Sequence, residues 1–354
     1  MNRVALPARP RILVVALRRL GDVLLTTPLI ASLRKAWPDA TIEALVFADT
    51  AGILAGNPDL NGVIAMPARR TVAESLSLAA KLWRRYDLAV STQSGDRPVF
   101  FAAIAGRVRV APVEARASGA FKARFLHRAI PIEAGMHRVE DMLRLTDALG
   151  IAREPRLVPP AAAPFDGAPV GDYAVMHAAP MFRYKQWSAA GWREVAASLK
   201  ARGLTVVATG GPAPDERAYL DDIWRDTNVT RLDGRLNWRQ LSGVLAGAKV
   251  FVGPDTSVTH LAAACGCPTV ALFGPTDPRL WGPWPVGGLA QMWADTGPVQ
   301  QHGNVWLVQH AFPCTPCQLE GCERRLESNS ACLDSLSPQH VMVAVDEALG
   351  ASGR

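Results

Sequence analysis

No stretch of this 354-residue chain stays apolar for the roughly 18–20 residues that a membrane-spanning helix needs, so no span is expected. Neither half carries G-x-G-x-x-G after its first strand-like run, which removes the usual signature of a dinucleotide oxidoreductase. G-x-x-x-x-G-K-[ST] is missing as well, which argues against a P-loop kinase or ATPase. There is no Asp-x-Asp pair to hold a divalent metal, and nothing repetitive or of low complexity. The opening residues, MNRVALPARPRILVVALRRLGDV, lack the layout of a signal peptide. Arginines flank a short apolar run, Ile12 to Leu17, that reads as a first strand.

The composition, 49% apolar and 20% charged, is that of a soluble globular protein long enough for two domains, each with its own core. The net charge of +6 is uneven. Residues 1–150 hold 21 Lys and Arg against 13 Asp and Glu, a net +8, and the remainder is net −2. Either the first half has a solvated basic surface, or it meets an anionic partner such as a phosphorylated substrate or a lipid headgroup surface. No recognisable motif suggests nucleic acid.

The six cysteines fall into two groups. Cys265 and Cys267 flank Gly266 at a helix end, where small buried thiols are ordinary. Cys314, Cys317, Cys322 and Cys332 form C-x2-C-x4-C-x9-C in a loop-like segment. A reducing compartment would disfavour disulfides there, but the spacing does not match the paired knuckles of structural zinc sites, and no metal is expected.

Short apolar runs alternate with helical patterns throughout. The first half reads as strands at Ile12–Leu17, Ile42–Phe47, Gly62–Met66, Leu88–Thr92 and Arg107–Ala111, with helices over about Asp22–Lys35, Val72–Arg85 and Met136–Leu149. Strand and helix in turn predict α/β domains with parallel, doubly wound sheets. A Pro-, Ala- and Gly-rich stretch, Arg153–Asp172, interrupts the pattern. The grammar then restarts, with strands at Tyr173–His177, Thr205–Thr209, Val229–Leu232, Lys249–Gly253 and Thr269–Phe273. Helices are expected over Ser188–Ala201, Asp215–Arg225, Trp238–Ala246 and Ser337–Leu349. The expected division is an N-terminal domain at 1–155, a linker at 156–172, a C-terminal domain at 173–336 and a closing helix at 337–354. Two such domains would leave a cleft between the carboxyl ends of their sheets, where ligands are expected.

Four local features are candidates for that site. The most informative is the run from Lys249 to Trp284: strand, polar turn, helix, strand and Gly-Pro loop, a parallel βαβ unit. Its turn, Gly253-Pro254-Asp255-Thr256-Ser257, puts free N–H groups and the positive helix end at one point, which suits phosphate. Asp255, Thr256, Ser257 and His260 stand out on an otherwise Ala- and Leu-rich helix, though Asp255 and Thr256 also suit plain capping. Asp22, in Arg19-Leu20-Gly21-Asp22 after the first strand, reads as a helix N-cap or as a general base for an acceptor hydroxyl. Arg183 and Lys185, in the loop after Tyr173–His177, are solvated charges or phosphate contacts. Gly210 and Gly211, after Thr205–Thr209, form a bare turn or a surface against which a nucleoside lies.

Taken together, G-D-V-L-x-T-x-P at Gly21–Pro28, K-x-W at Lys185–Trp187, D-T-x-x-x-H-x-A-A from Asp255 and V-A-L-F-G-P-T from Val270 resemble the family 9 glycosyltransferases, the ADP-heptose:lipopolysaccharide heptosyltransferases. The likeness runs from about Ile12 to Leu333. LVFADTAGILAGNPDLNGV and the PCTPCQLEGC segment look most like the third inner-core heptosyltransferase. The cysteines then read as a loop feature of the family.

The resemblance implies a GT-B fold, with acceptor in the first domain and ADP-sugar in the second, and no cofactor or metal. Asp22 would be the catalytic base and Lys185 a contact to the donor phosphates. Asp255, Thr256, Ser257 and His260 would line the donor pocket, and Gly210 and Gly211 would border the nucleotide. It further implies inverting transfer of heptose from ADP-L-glycero-β-D-manno-heptose to the lipopolysaccharide inner core. The enzyme would be peripheral on the cytoplasmic face of the inner membrane of a Gram-negative bacterium, in contact with anionic lipid. The alternatives are a family 9-like transferase using another nucleotide sugar, a non-catalytic sugar-nucleotide binding protein and, more distantly, an NAD-linked oxidoreductase.

Overall fold

A computed structural model describes residues 2–69, 71–297 and 299–352. Met1, Arg70, Pro298 and the last two residues of the expected closing helix lie outside the described residues. The chain divides into two compact units, the boundary falling between Ala161 and Ala162.

The first unit runs β1 (Arg11–Ala16), α1 (Leu20–Leu24), α2 (Thr27–Ala36), β2 (Thr41–Phe47), β3 (Gly62–Met66), α3 (Val72–Leu82), β4 (Tyr86–Ser91), α4 (Asp96–Ala105), β5 (Gly106–Val113), α5 (Ala117–Ala123), β6 (Arg128–Pro131) and α6 (Arg138–Leu149). Its six strands are all parallel, in the order β3-β2-β1-β4-β5-β6. The pleat divides β1 between two cores. Ile12 and Val14 join Leu29, Leu33, Met142 and Leu145 on one face, and Leu13 and Val15 join Leu45, Tyr86 and Phe101 on the other.

The expected helix over Asp22–Lys35 is two helices. Pro28 has no N–H to bond back to Leu24 and sits in the first turn of α2, where that N–H is not needed. The hydroxyls of Thr26 and Thr27 donate to the carbonyls of Asp22 and Leu24 at 2.8 Å each, sealing the break.

The second unit runs β7 (Tyr173–His177), α7 (Ala189–Ala201), β8 (Thr205–Thr209), α8 (Pro214–Ile223), β9 (Thr230–Arg231), α9 (Trp238–Ala246), β10 (Val250–Pro254), α10 (Ser257–Ala264), β11 (Thr269–Phe273), α11 (Pro278–Trp281), β12 (Val299–His302), β13 (Val305–Gln309), α12 (Ala331–Asp334) and α13 (Pro338–Ser352). Its sheet order is β12-β13-β11-β10-β7-β8-β9, parallel except for the β12–β13 hairpin. The main core gathers Met176, Trp192, Val252, Leu272 and Trp306. Helix α13 adds Val341, Ala344, Val345 and Ala348 to that core, so the closing helix is part of the second unit.

The connecting stretch is pinned rather than loose. Glu154 and Val158 donate their N–H groups to Ser32 Oγ and Thr27 Oγ1, Ala161 to the Ala55 carbonyl, and Ala163 to the Arg239 carbonyl.

Candidate functional site

In the first unit, strand order reverses between β1 and β4, the position at which open α/β sheets bind ligands. A cavity of about 430 Å³ lies at the carboxyl ends of those strands, lined by Leu17, Arg18, Phe47 and residues 93–98. Two of its lining residues, Arg18 and Arg97, are cationic. Its Asp96 is paired with Lys122 at 2.7 Å.

Asp22 follows the same strand end, but not as the N-cap that one reading expected. Arg19 is the N-cap of α1 and makes no side-chain capping bond; Asp22 is the third residue of the helix. The residue is only 8% exposed. Oδ1 stands 3.3 Å from Nε of Arg138, whose side chain is itself largely enclosed. Arg138 also donates from Nη2 to the Thr92 carbonyl at 3.2 Å, anchoring itself to the end of β4. Burial pushes the Arg138 guanidinium down, Arg18 adds repulsion, and Asp22 and Asp141 oppose both. A buried carboxylate is thus paired with one arginine, with no hydrogen bond between Oδ1 and Nε, and follows a strand end whose cavity is lined by two others. Sequence reading missed Arg138 because it lies more than a hundred residues from Asp22. Arg18 and Arg97 carried a signal: both follow the ends of central strands.

In the second unit the reversal lies between β10 and β7, and the loops leaving those two strands hold most of the expected donor residues. Lys185 ends a short 3-10 turn after β7, and its ammonium meets Asp255 Oδ2 at 2.5 Å. Asp255 immediately follows β10 and is 7% exposed. Burial alone would raise its carboxyl, but Lys185, His260 and a hydrogen bond with Thr276 together hold it below the usual range. Thr256 is the N-cap of α10, its hydroxyl accepting from the Thr259 N–H. Ser257 opens the helix and His260 is buried one turn on. The segment therefore presents a helix N-terminus with a lysine-neutralised carboxylate at its edge, a combination suited to an anion.

Gly210 and Gly211 follow β8, and packing favours a glycine at the first, where the neighbour is the buried Leu220, more than at the second, where only the movable end of Glu216 is close. A Cβ on Gly210 would collide with Leu220. One on Gly211 would lie 2.6 Å from Glu216 Oε2, while the Gly211 N–H already donates to Glu216 Oε1 at 2.5 Å. Arg183 does not point to the same place as Lys185, since its Nε donates to Asn329 Oδ1 at 2.9 Å.

His177, last residue of β7, is buried against Thr209, with Nδ1 and Oγ1 3.1 Å apart. Burial pushes its imidazole down to about 4, so it is neutral near pH 7. An unfolded histidine titrates near 6.5, so as pH falls the unfolded chain takes up the proton first. The stabilising contribution is complete above about 6.5 and is lost as pH falls toward 4. The stability gap between the wild type and His177→Gln is expected to shrink by roughly 3 kcal/mol between pH 7 and pH 4 in chemical denaturation. A gap that does not change with pH would contradict this account.

All six cysteines are free. Burial raises the thiols of Cys265 and Cys332 to about 12 and about 11. Among the described residues, no group of three or more Cys, His, Asp or Glu side chains is arranged to hold a metal ion. The cysteine-bearing segment has a mechanical task instead. Ser330 Oγ donates to the Tyr184 carbonyl at 2.6 Å, Asn329 receives Arg183, and Gln318 N donates to the Pro275 carbonyl at 2.7 Å. The Cys322 N–H donates to the Asn329 carbonyl at 3.0 Å. The segment clasps the turn that carries Lys185.

The profile of Glycosyltransferase family 9 (heptosyltransferase) matches residues 75–287, more than half of the chain and part of each unit. The chain belongs to glycosyltransferase family 9. Lipopolysaccharide heptosyltransferase 3 of Escherichia coli is 31% identical over 294 residues, covering 77% of this chain and 86% of that protein. The structure of E. coli heptosyltransferase WaaC with ADP superposes with a TM-score of 0.72 at 22% identity, covering 96% of this chain and 99% of the other. That of E. coli ADP-heptose lps heptosyltransferase II superposes at 0.76 and 19%, covering 97% and 100%. At these identities the structures establish the fold, the GT-B class expected from the motifs. The family 9 resemblance is borne out, and with it the reading of the chain as a glycosyltransferase. Among the described residues, no helix of this family 9 chain is long and apolar enough to cross a membrane.

Proposed function

We propose that this enzyme transfers heptose from ADP-L-glycero-β-D-manno-heptose to a hydroxyl of the lipopolysaccharide inner core, with inversion at the anomeric carbon. The observation that carries the proposal is the buried Asp22 carboxylate, paired with Arg138 just after a central strand of a parallel sheet, in a chain of family 9. Asp22 takes the proton from the acceptor hydroxyl as its oxygen attacks. Arg18 and Arg97, lining the cavity of the first unit, meet anionic groups of the acceptor. On the donor side, Lys185 and the N–H groups at the start of α10 stabilise the departing diphosphate, a charge that grows as the glycosidic bond breaks. Asp255 holds the lysine until the diphosphate draws on it, and Thr256, Ser257 and His260 shape the pocket. Gly210 and Gly211 border the nucleotide. The acceptor is lipid-borne, so the enzyme works in peripheral contact with the anionic inner face of the inner membrane.

Incubation with ADP-heptose and core lipopolysaccharide from a heptose-deficient strain should increase the acceptor mass by one heptose. ADP compounds should raise the melting temperature more than UDP or GDP compounds do. Stabilisation by UDP or GDP compounds alone would replace ADP-heptose with another donor.

The clasp around Tyr184 makes a separate prediction. Ser330→Ala and Asn329→Ala each remove about one hydrogen bond, so each should raise the donor KM about fivefold. Asn329→Asp, which keeps an acceptor for Arg183, should stay near wild type. An unmoved KM in both alanine variants would detach Lys185 from this segment.

A further inference from the structure

We propose that the exposed face of α5 and of the turn after it docks onto an anionic lipid surface, which extends the reading above of a lipid-borne acceptor. Phe121 on α5 and Phe125 in the turn that follows it are 64% and 47% exposed. Their rings meet edge to face with centroids 5.3 Å apart. Two phenyl rings paired in water gain little for the fold, and apolar surface of this kind marks a place that a partner covers.

Charge selects the partner. Arg116 and Arg124, at the two ends of α5, are both exposed, on a half of the chain that carries the whole basic excess. An apolar centre between arginines matches negative headgroups above acyl chains, with rings entering the boundary and guanidinium groups staying at the phosphates. A second copy of the chain would bring the same arginines face to face and be repelled.

Position supplies the third argument. Lys122, on the same helix, pairs with Asp96 and donates to the Ser94 carbonyl at 2.7 Å. Ser94 and Asp96 both line the 430 Å³ cavity. Gly119 is buried against the Glu114 carbonyl, where a Cβ could not fit, so the helix is seated closely on the end of β5. A membrane held by Phe121 and Phe125 therefore lies beside the cavity assigned to the acceptor.

Flotation of the full chain tests this surface, using phosphatidylcholine vesicles with and without roughly one part in three of phosphatidylglycerol. The wild type should float with the anionic vesicles and lose them at high salt. Arg116→Gln/Arg124→Gln should bind about thirtyfold more weakly, at about one kcal/mol for each arginine. Phe121→Ser/Phe125→Ser should also detach. Both double variants should keep wild-type melting temperatures and wild-type transfer to a deacylated, soluble core acceptor. Variants that float like the wild type would overturn the surface, as would a wild type that ignores anionic vesicles while transferring heptose to the soluble acceptor. Concentration-dependent dimers abolished by the same substitutions, without vesicle binding, would assign the face to a second copy and overturn the lipid. Flotation lost in both variants of a chain that transfers no heptose would uphold the surface and reject the proposed reaction.

Discussion

Asp22→Asn is expected to lower the transfer rate by about 10²–10⁴-fold, the usual contribution of a positioned general base, while ADP still protects the chain against thermal unfolding. The amide keeps the shape of the side chain but cannot accept the acceptor's proton. The donor side should be spared, because Lys185, Asp255 and α10 belong to the other unit. The substitution also strips Arg138 of its nearer charge partner, leaving Asp141 at 3.9 Å. Breaking a buried pair typically costs about 3–5 kcal/mol, so the melting temperature should fall as well. Rates must therefore be compared well below the variant's own transition. Arg138→Lys provides the control, since it keeps a cation near Asp22 but loses the planar contact to the Thr92 carbonyl. Its pH–rate profile should remain that of an enzyme with a working base. An Asp22→Asn enzyme that turns over within a few-fold of the wild type would remove Asp22 from the reaction.

Lys185→Met should have two separable consequences. The first is structural: Asp255 is buried and loses its counter-charge, which should destabilise the second unit by about 3–5 kcal/mol. The second is catalytic: loss of a preorganised cation at a departing diphosphate should reduce kcat by about 10²–10³-fold. The double variant Lys185→Met/Asp255→Asn tells them apart. It replaces a buried ion pair with neutral groups, and such replacements are often close to neutral in stability. The melting temperature should therefore recover while turnover stays low. Recovery of both would make the pair a purely structural device, and the helix start of α10 would then have to stabilise the leaving group without the lysine.

How much could be read along the chain depended on whether each signal was local. Gly62–Met66, Tyr173–His177, Thr205–Thr209, Thr269–Phe273 and the helix Trp238–Ala246 have the bounds expected of them. All four strands are short apolar runs bounded by polar residues, Gly or Pro, and α9 opens with a capping box in which Asn237 and Gln240 bond each other's backbone. The segment Asp96–Ala105 was not anticipated as a helix. It is apolar on nearly every face, so it has no period to detect, and it is helical because β1, β4 and β5 cover it. Strand β6 was missed for the opposite reason: at the sheet edge it is only partly buried, and Arg128 interrupts its apolar run. The hairpin of β12 and β13 was not expected either, although β13 is wholly buried.

The site divides along the same line. Asp22, Lys185, Asp255 and His260 could be singled out because each sits in a polar turn directly after an apolar run, and such turns are local. Arg138 could not, since its relation to Asp22 exists only once α6 has packed against α2 across the face of the first sheet. The role of the cysteine segment was hidden in the same way. C-x2-C-x4-C-x9-C invites a metal, whereas the bonds that tie the segment to the Lys185 turn and to Pro275 come from Ser330, Asn329 and Gln318.

Local residue order sufficed for the alternating α/β grammar, the anion-binding helix start after β10 and the motifs of family 9, because hydrophobic period, capping and turn chemistry act over a few residues. Folding in three dimensions decided the order of the strands. By reversing that order between β10 and β7 it brings Lys185 onto Asp255, seventy residues away, and through α6 it brings Arg138 onto Asp22. Buried charges are stable only in pairs, and no local pattern says which distant side chain will supply the partner.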